Sequence, residues 1–386
     1  MRDEVYVTEL DVSVVLPCLN ESATIRACVE KALRSFEVGK LRGEVILSDN
    51  GSTDGSQEIA AQAGARVVHA AKRGYGSAYI NGIAHAHAPI IVMGDSDDTY
   101  DFGEVPRLVA KIREGYDMVL ASRLRGKILP GAMPWLHRYV GNPILTGILN
   151  LLFGLGVSDA HTGMRAFTRE AYDKLNLRTL GMEYASEMIV TAAQARLRIA
   201  EVPITYYPRL GESKLNTWRD GWRHLRYLLL RSPTTLFILP GLVFVILGWI
   251  PLIALANGPL TLGKFFIDFH YMIVGSALAM LGLQILLLGL QGKSYLVANG
   301  LDRRDALIDW IRAHVSMERG LLVGLILLAS GLGLGLYIVF IWAQHSFANI
   351  NELRLGLLGL TLGVSGTQII FSSLFLSLLD IEAKDL

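Results

Sequence analysis

The charge of this chain falls away near Ser232, and that break limits what the chain can fold into. Residues 1–231 carry 28 Lys+Arg and 26 Asp+Glu, whereas residues 232–386 carry 8 and 9. Four long uncharged stretches fill the second part, residues 232–263, 271–291, 320–343 and 355–379. About 20 apolar residues cross a bilayer core, so each stretch reads as a transmembrane helix. Pro240, Pro251 and Asn257 interrupt the first, which gives expected spans of about 234–256, 271–291, 320–343 and 355–379. Soluble domains do not carry four such runs in succession.

Orientation follows from the short loops. Residues 292–319 hold Lys293, Arg303, Arg304, Arg312 and Arg319, while the loops on the other side hold only Lys264 and Arg354. Positive residues stay on the cytoplasmic side, so in an integral protein of the cell membrane residues 1–231 and both termini are expected in the cytoplasm. The start, Met1-Arg2-Asp3-Glu4, has no apolar core, and no signal peptide is expected. Cys18 and Cys28, the two cysteines, form no CxxC and suggest neither a disulfide framework nor a zinc site. A net charge of +1 leaves no nucleic-acid footprint.

Within the charged half, Pro89-Ile90-Ile91-Val92-Met93 is an apolar run too short for a helix and bounded by Pro and Gly. It reads as a buried strand. Asp95, Asp97 and Asp98 follow it directly, at the end of the strand where open α/β sheets bind ligands. Like charges that close call for a cation between them. Carboxylates with few other ligands suit a hard ion such as Mg²⁺ or Mn²⁺ shared with substrate phosphates. A solvated, Asp-rich turn is the plainer reading of the same residues.

Residues 12–121 alternate strand and helix signals. Strands are expected at 12–16, ended by Pro17, at 44–47 and 66–69, from Pro89, and at 118–121. Helices are expected at 21–36, 56–63, from about 77, and at 105–114. Such alternation argues for a mostly parallel sheet covered by helices. Residues 134–154 are apolar but carry His137, Arg138, Asn142 and Pro143, and read as an interfacial helix. Residues 216–231 set Arg219, Arg223, His224, Arg226 and Arg231 beside Trp218, Trp222 and Tyr227, which fits a juxtamembrane amphipathic helix on anionic lipid. A buried helix and a simple extension of the first span are the respective alternatives. The expected domains are therefore 1–215, 216–231 and 232–386.

Six motifs then fall in order: Val14-Val15-Leu16-Pro17-Cys18-Leu19-Asn20-Glu21, Ser48-Asp49-Asn50-Gly51-Ser52-Thr53-Asp54-Gly55, Gly94-Asp95-Ser96-Asp97, Ala121-Ser122-Arg123, Asp159-Ala160-His161-Thr162-Gly163-Met164-Arg165 and Glu201-Val202-Pro203-Ile204. This series resembles the inverting glycosyltransferases of family 2, which use a Rossmann-like α/β GT-A fold. More narrowly, it resembles the polyprenyl-phosphate glycosyltransferases related to dolichyl-phosphate mannose and glucose synthases. The resemblance covers residues 10–231, and the four-helix tail follows the general plan of membrane-anchored members.

The resemblance implies roles. Pro17, Glu21, Asp49 and Asp95 match nucleotide-binding positions, and Asp95 and Asp97 match the pair that meets Mg²⁺ or Mn²⁺ and the donor diphosphate. Asp49 could instead make an Asx-turn or a helix cap, a job that better suits Asp54 ahead of the helix at Ser56. Arg209 and Lys214, in Arg209-Leu210-Gly211-Glu212-Ser213-Lys214-Leu215, match a basic loop over the donor phosphates. Arg123 and Arg138 match positions that hold the acceptor phosphate, for which a planar guanidinium fork is suited. A lipid-headgroup contact is the alternative for Arg138. Many members carry Gln two positions after the second Asp; Thr99 stands there, which puts a third protein ligand in doubt. Lys72, Arg73 and Gly74-Tyr75-Gly76 could form a phosphate-facing loop or a surface turn. His161 could line the pocket, and His85 and His87 read as ordinary helix residues.

The implied reaction is sugar transfer from a nucleotide diphosphate sugar, UDP-glucose before GDP-mannose, to a polyprenyl phosphate at the cytoplasmic face. Asp97, Arg123 and Arg138 are the implied catalytic residues. A processive polysaccharide synthase would be expected to carry Gln-x-x-Arg-Trp, which this chain lacks. A non-catalytic membrane scaffold that binds nucleotide sugar is the other alternative. Gly320-x-x-x-Gly324 and Gly331-x-x-x-Gly335 permit close helix packing within one chain or in a homo-oligomer.

Overall fold

A computed structural model describes residues 10–210, 217–302 and 316–380. Two units emerge, Met1–Leu228 and Leu229–Leu386, with the division falling inside the amphipathic helix.

The first unit is built on strands β1 (Val12–Cys18), β2 (Gly43–Asp49), β3 (Arg66–His69), β4 (Ile90–Met93), β5 (Met118–Ile128), β6 (Arg165–Thr168) and β7 (Ile199–Tyr206). Their order across the sheet is β3-β2-β1-β4-β6-β5-β7. Strands β1 to β4 are mutually parallel and β5 runs parallel to β7, while β6 is antiparallel to both its neighbours. The alternating side chains of β1 feed two cores. Val14 and Leu16 pack on the face covered by α1 (Ile25–Gly39), α2 (Ser56–Gln62) and α4 (Val105–Arg113). Val15 packs on the face covered by α3 (Tyr75–Ala84), α5 (Asn142–Phe153), α6 (Arg169–Leu175) and α7 (Tyr184–Gln194).

Four local expectations are corrected. Strand β1 runs through Pro17 to Cys18. The Cys18 carbonyl accepts from Asn50 on the β2 side and the Val15 carbonyl accepts from Gly94 on the β4 side, so alternation turns the Pro17 nitrogen toward β4. Strand β4 has already ended at Met93, opposite Val15, and the missing N–H costs no ladder bond there. Helix α1 starts at Ile25, after a turn in which Ile25 N donates to the Glu21 carbonyl, so Glu21 stays on a loop. His85 caps α3 and His87 lies beyond it, within 3.4 Å of Glu44. Strand β6, the four residues Arg-Ala-Phe-Thr, was not anticipated; its antiparallel place between β4 and β5 is set by pairing with strands distant in sequence.

Among the described residues, the second unit holds four helical segments long and apolar enough to cross a membrane, Thr234–Ala254, Phe269–Ala298, Met317–Gln344 and Leu353–Leu379. They correspond to α9 (Leu239–Ala254) with the π-turn ahead of it, α10 (Phe269–Ala298), α11 (Met317–Gln344) and α12 (Leu353–Asp380). The short hairpin β8 (Leu260–Leu262) and β9 (Phe265–Ile267) links the first two. Gly324 and Gly331 of α11 face α12 of the same chain, whereas a side chain at Gly335 would meet nothing within 4 Å. Two polar pairs cross between α10 and α12, Ser276–Thr361 at 2.7 Å and Gln284–Gln368 at 3.1 Å. Arg303, Arg304 and Arg312 lie outside the described residues.

Candidate active site

The carboxyl ends of β1, β2, β4, β5 and β7 lie along one edge of the sheet, with the switch in strand order between β1 and β4. Ligands of open α/β sheets bind at such a point. The loops there are tied together by short polar bonds. Ser96 Oγ donates to the Pro17 carbonyl at 2.6 Å, Thr24 Oγ1 donates to the Ser96 carbonyl at 2.7 Å, and Glu21 N donates to Ser56 Oγ at 2.9 Å.

Asp95 and Asp97 follow β4 and have different surroundings. Asp95 Oδ1 accepts from Tyr75 and Tyr79 hydroxyls at 2.9 and 3.1 Å. Its Oδ2 faces Gly163, where a Cβ would come within 2.3 Å. Burial, and then the charge of Asp97, pushes the Asp95 carboxyl up to about 6. Asp97 Oδ1 accepts from Thr99 Oγ1 at 2.6 Å and from Thr99 N at 3.2 Å. Its Oδ2 faces Arg209 Nη1 at 3.1 Å, and Arg209 Nη2 reaches Glu21 Oε1 at 2.8 Å. Thr99, standing where many family members have Gln, thus orients Asp97. Asp98 takes a left-handed φ of +62° and pairs with Lys31 at 2.7 Å.

Asp49, buried at the end of β2, accepts from Gly51 N at 3.0 Å, Ser52 N at 3.1 Å and Gln57 Nε2 at 2.9 Å. It therefore makes the Asx-turn itself. Asp54 accepts from Ser56 and Ser22, tying the start of α2 to the β1 loop. The Gly74-Tyr75-Gly76 segment is not a surface turn. It is a packed helix start, where Cβ atoms at Gly74 and Gly76 would lie 2.1 and 2.3 Å from the carbonyls of Leu180 and Thr179, and it delivers Tyr75 and Tyr79 onto Asp95.

On the β5 side, Arg123 is buried in a two-point pair with Asp159, Nε to Oδ2 and Nη2 to Oδ1, both at 2.8 Å. Asp159 is itself oriented through Glu201, whose Oε1 accepts from Ser158 N at 2.9 Å and Asp159 N at 3.2 Å. The Arg123 guanidinium lies 5.3 Å over the Tyr206 ring. The fork expected to grasp an acceptor phosphate is thus already spent on Asp159, and Nη1 is the one nitrogen with no bond to it. The motif around Asp159 is visible in the sequence, but its pairing with Arg123, 36 residues away, is set by the fold. Arg138 sits on the π-turn His137–Gly141, partly exposed, 5.2 Å from the Tyr139 ring. Burial, and then the charge of Arg123, lowers the pKa of the adjacent His137. Lys214 lies outside the described residues.

His161 is half-buried, with Nε2 at 3.3 Å from Ser186 Oγ and its ring edge-on to His224 at 4.8 Å. Burial, then the His224 charge, holds its pKa well below the usual value, and burial lowers His224 to about 4. Arg165 is fully buried and donates to the carbonyls of Thr162, Ala185 and Ala160. It holds the 160–165 loop in place. Among the described residues, no group of three or more His, Cys, Asp or Glu is arranged to hold a metal ion.

A parallel-rich GT-A sheet with carboxylates at the end of β4, joined in one chain to four apolar helices, defines a membrane glycosyltransferase. The chain belongs to glycosyl transferase family 2: residues 13–175 match that family, and residues 290–380 match its C-terminal transmembrane region. The low-salt glycan biosynthesis hexosyltransferase Agl6 of Haloferax volcanii is 40% identical over 366 residues, covering 94% of this chain and 88% of the relative. The dolichyl-phosphate hexose transferase of the same organism is 35% identical over 213 residues, covering 55% of this chain and 89% of the relative. Among solved structures, glucosyl-3-phosphoglycerate synthase from Mycobacterium tuberculosis aligns at 25% identity with a TM-score of 0.49, covering 58% of this chain and 80% of that one. That superposition is too loose to transfer any role.

Proposed function

We propose that this enzyme transfers a single hexose, with inversion, from a nucleotide diphosphate sugar to a polyprenyl phosphate at the cytoplasmic face of the cell membrane. UDP-glucose is the favoured donor and GDP-mannose the next. The observation that carries the reading is the opposition of charge along one sheet edge. Asp95 and Asp97 follow β4, Arg123 lies just past Ser122 where the β5–β7 register breaks, and one strand separates β4 from β5. Two strand spacings are roughly 10 Å, a separation that suits two anionic substrates brought together from opposite sides. The relative named as a dolichyl-phosphate hexose transferase supports the same acceptor class.

In this reading Glu21 and Asp49 receive the nucleoside and Arg209 and Lys214 the donor phosphates. The residues fit a divalent ion: Asp97 is aimed by Thr99, and its free-facing oxygen already attracts a cation, Arg209. Asp97, with the charge of Asp95 beside it, would hold Mg²⁺ or Mn²⁺, and donor oxygens would fill most of the shell. When bound, such an ion stabilises the departing diphosphate as a Lewis acid. The acceptor is a phosphate monoester that is already anionic near neutral pH, so no strong general base is needed. Arg123, through Nη1, and Arg138 position it and screen its repulsion from the donor.

Exposed apolar side chains support docking of this unit on lipid. Trp135, Tyr139, Ile144 and Leu151 line the 134–154 segment, and Trp218 and Trp222 stand out from α8 (Thr217–Leu230) beside Arg219, Arg223 and Arg226. The test is radiolabelled donor supplied to purified enzyme with a short polyprenyl phosphate. Label in solvent-extractable monosaccharide-lipid supports the reading. Polymer would point to a processive synthase, and no transfer to a binding scaffold.

A further inference from the structure

Arg209 is placed unlike the other buried arginines of the catalytic unit. Arg165 has donors settled on three carbonyls, and Arg123 is locked to Asp159. Arg209 instead bridges two loops, with Nη2 on Glu21 Oε1, 188 residues away in sequence, at 2.8 Å and Nη1 on Asp97 Oδ2 at 3.1 Å. Its Nε is buried with no hydrogen-bond partner. A buried Nε–H with no acceptor is a cost that a finished structural pair does not carry. The side chain follows β7 by three residues and is 21% exposed, so it lies at the mouth of the cleft.

We propose that Arg209 is the resident cation of the donor site, standing between Glu21 and Asp97 until metal and nucleotide diphosphate arrive together. The inference rests on the assignment of Asp97 to the metal made above, and adds an order of binding to it. A divalent ion entering alone must break the Arg209–Asp97 contact and leave the guanidinium, held by Glu21 alone, beside a second positive charge. A diphosphate removes that penalty, because it offers the released guanidinium a charge-assisted partner. Metal and nucleotide therefore raise one another's affinity, by the same factor in each direction. Thr99 keeps Asp97 aimed during the exchange, since its bonds are to the other carboxylate oxygen.

The test measures Mn²⁺ binding to the full-length, detergent-solubilised protein by electron paramagnetic resonance, without nucleotide and with UDP, with GDP run in parallel. In the wild-type protein, the nucleotide that binds should tighten Mn²⁺ by about tenfold or more. Equal Mn²⁺ affinity with and without nucleotide overturns the inference with no variant required. Arg209→Gln should bind Mn²⁺ alone about tenfold more tightly than wild type and lose most of the coupling. Arg209→Lys, which restores a point charge, should return toward wild type. Unchanged or weaker Mn²⁺ binding in Arg209→Gln, with binding abolished in Asp97→Asn, removes Arg209 as resident cation and leaves the metal assignment standing. Wild-type Mn²⁺ binding in Asp97→Asn removes the metal assignment and the inference with it.

Discussion

The catalytic unit and the membrane unit use the same residue, glycine, to admit opposite things. At Gly163 the missing side chain makes room for a charge, since a Cβ would lie 2.3 Å from Asp95 Oδ2. At Gly331 it makes room for another backbone, since a Cβ would lie 2.5 Å from Gly363 N on the facing helix. In the first unit a substitution threatens the geometry of a few carboxylates while two large cores keep the sheet intact. In the second, where lipid supplies no hydrophobic drive between helices, close backbone approach is itself the packing. Chemistry and stability should therefore separate by unit.

The sharpest test of that separation is Asp97→Ala. It should cut transfer by at least about a hundredfold while the protein stays in the membrane fraction, as read by lipid-extractable label and fractionation. Excess chelator should reproduce the loss and added Mn²⁺ reverse it. Full activity in chelator would break the comparison at its catalytic end.

Arg123→Ala blurs the line in a predictable way. It strands buried Asp159, and breaking such a pair costs about 3–5 kcal/mol, so thermal stability should fall along with transfer. Arg138→Ala, at a partly exposed turn, should raise the apparent KM for acceptor with little change in the thermal midpoint. Calorimetric donor binding should be nearly intact in Arg138→Ala; its loss would move Arg138 to the donor side.

Substitution of the two glycines compares the units directly. Gly163→Ala should lower transfer per folded molecule by displacing Asp95. Gly331→Leu should leave transfer per folded molecule close to wild type but destabilise the membrane unit by about 1–3 kcal/mol, the usual cost of overpacking. Activity and detergent denaturation midpoints measured on both variants decide it; equal stability loss in the two would erase the distinction.

The smallest effect is a pH slope confined to the catalytic unit. His161 and His224 are held neutral in the fold, with burial as the main cause. An unfolded imidazole takes its proton near pH 6.5, so below that value the unfolded state binds more protons than the folded one. Stability is then full above pH 6.5 and falls as the pH drops toward about 4, where folded His224 titrates. The thermal midpoint should follow that course, and replacing both histidines with Gln should flatten it. A slope that survives the double substitution would assign it to other groups.

Much of this architecture was legible in the chain because its causes are local. Bilayer thickness sets the length of a span, and the run of uncharged residues states it directly. Strand–helix alternation and the placement of Glu21, Asp49, Asp95 and Asp97 just past strand ends follow from short windows of sequence. What the tertiary structure alone decided is which charge each of these residues meets. The antiparallel insertion of β6, the locking of Arg123 by Asp159, the grip of Tyr75 and Tyr79 on Asp95, and the bridge from Arg209 to Glu21 and Asp97 join residues from distant parts of the chain. Strand register sets those distances, and it is fixed by the packing of the whole sheet; no window of sequence contains it.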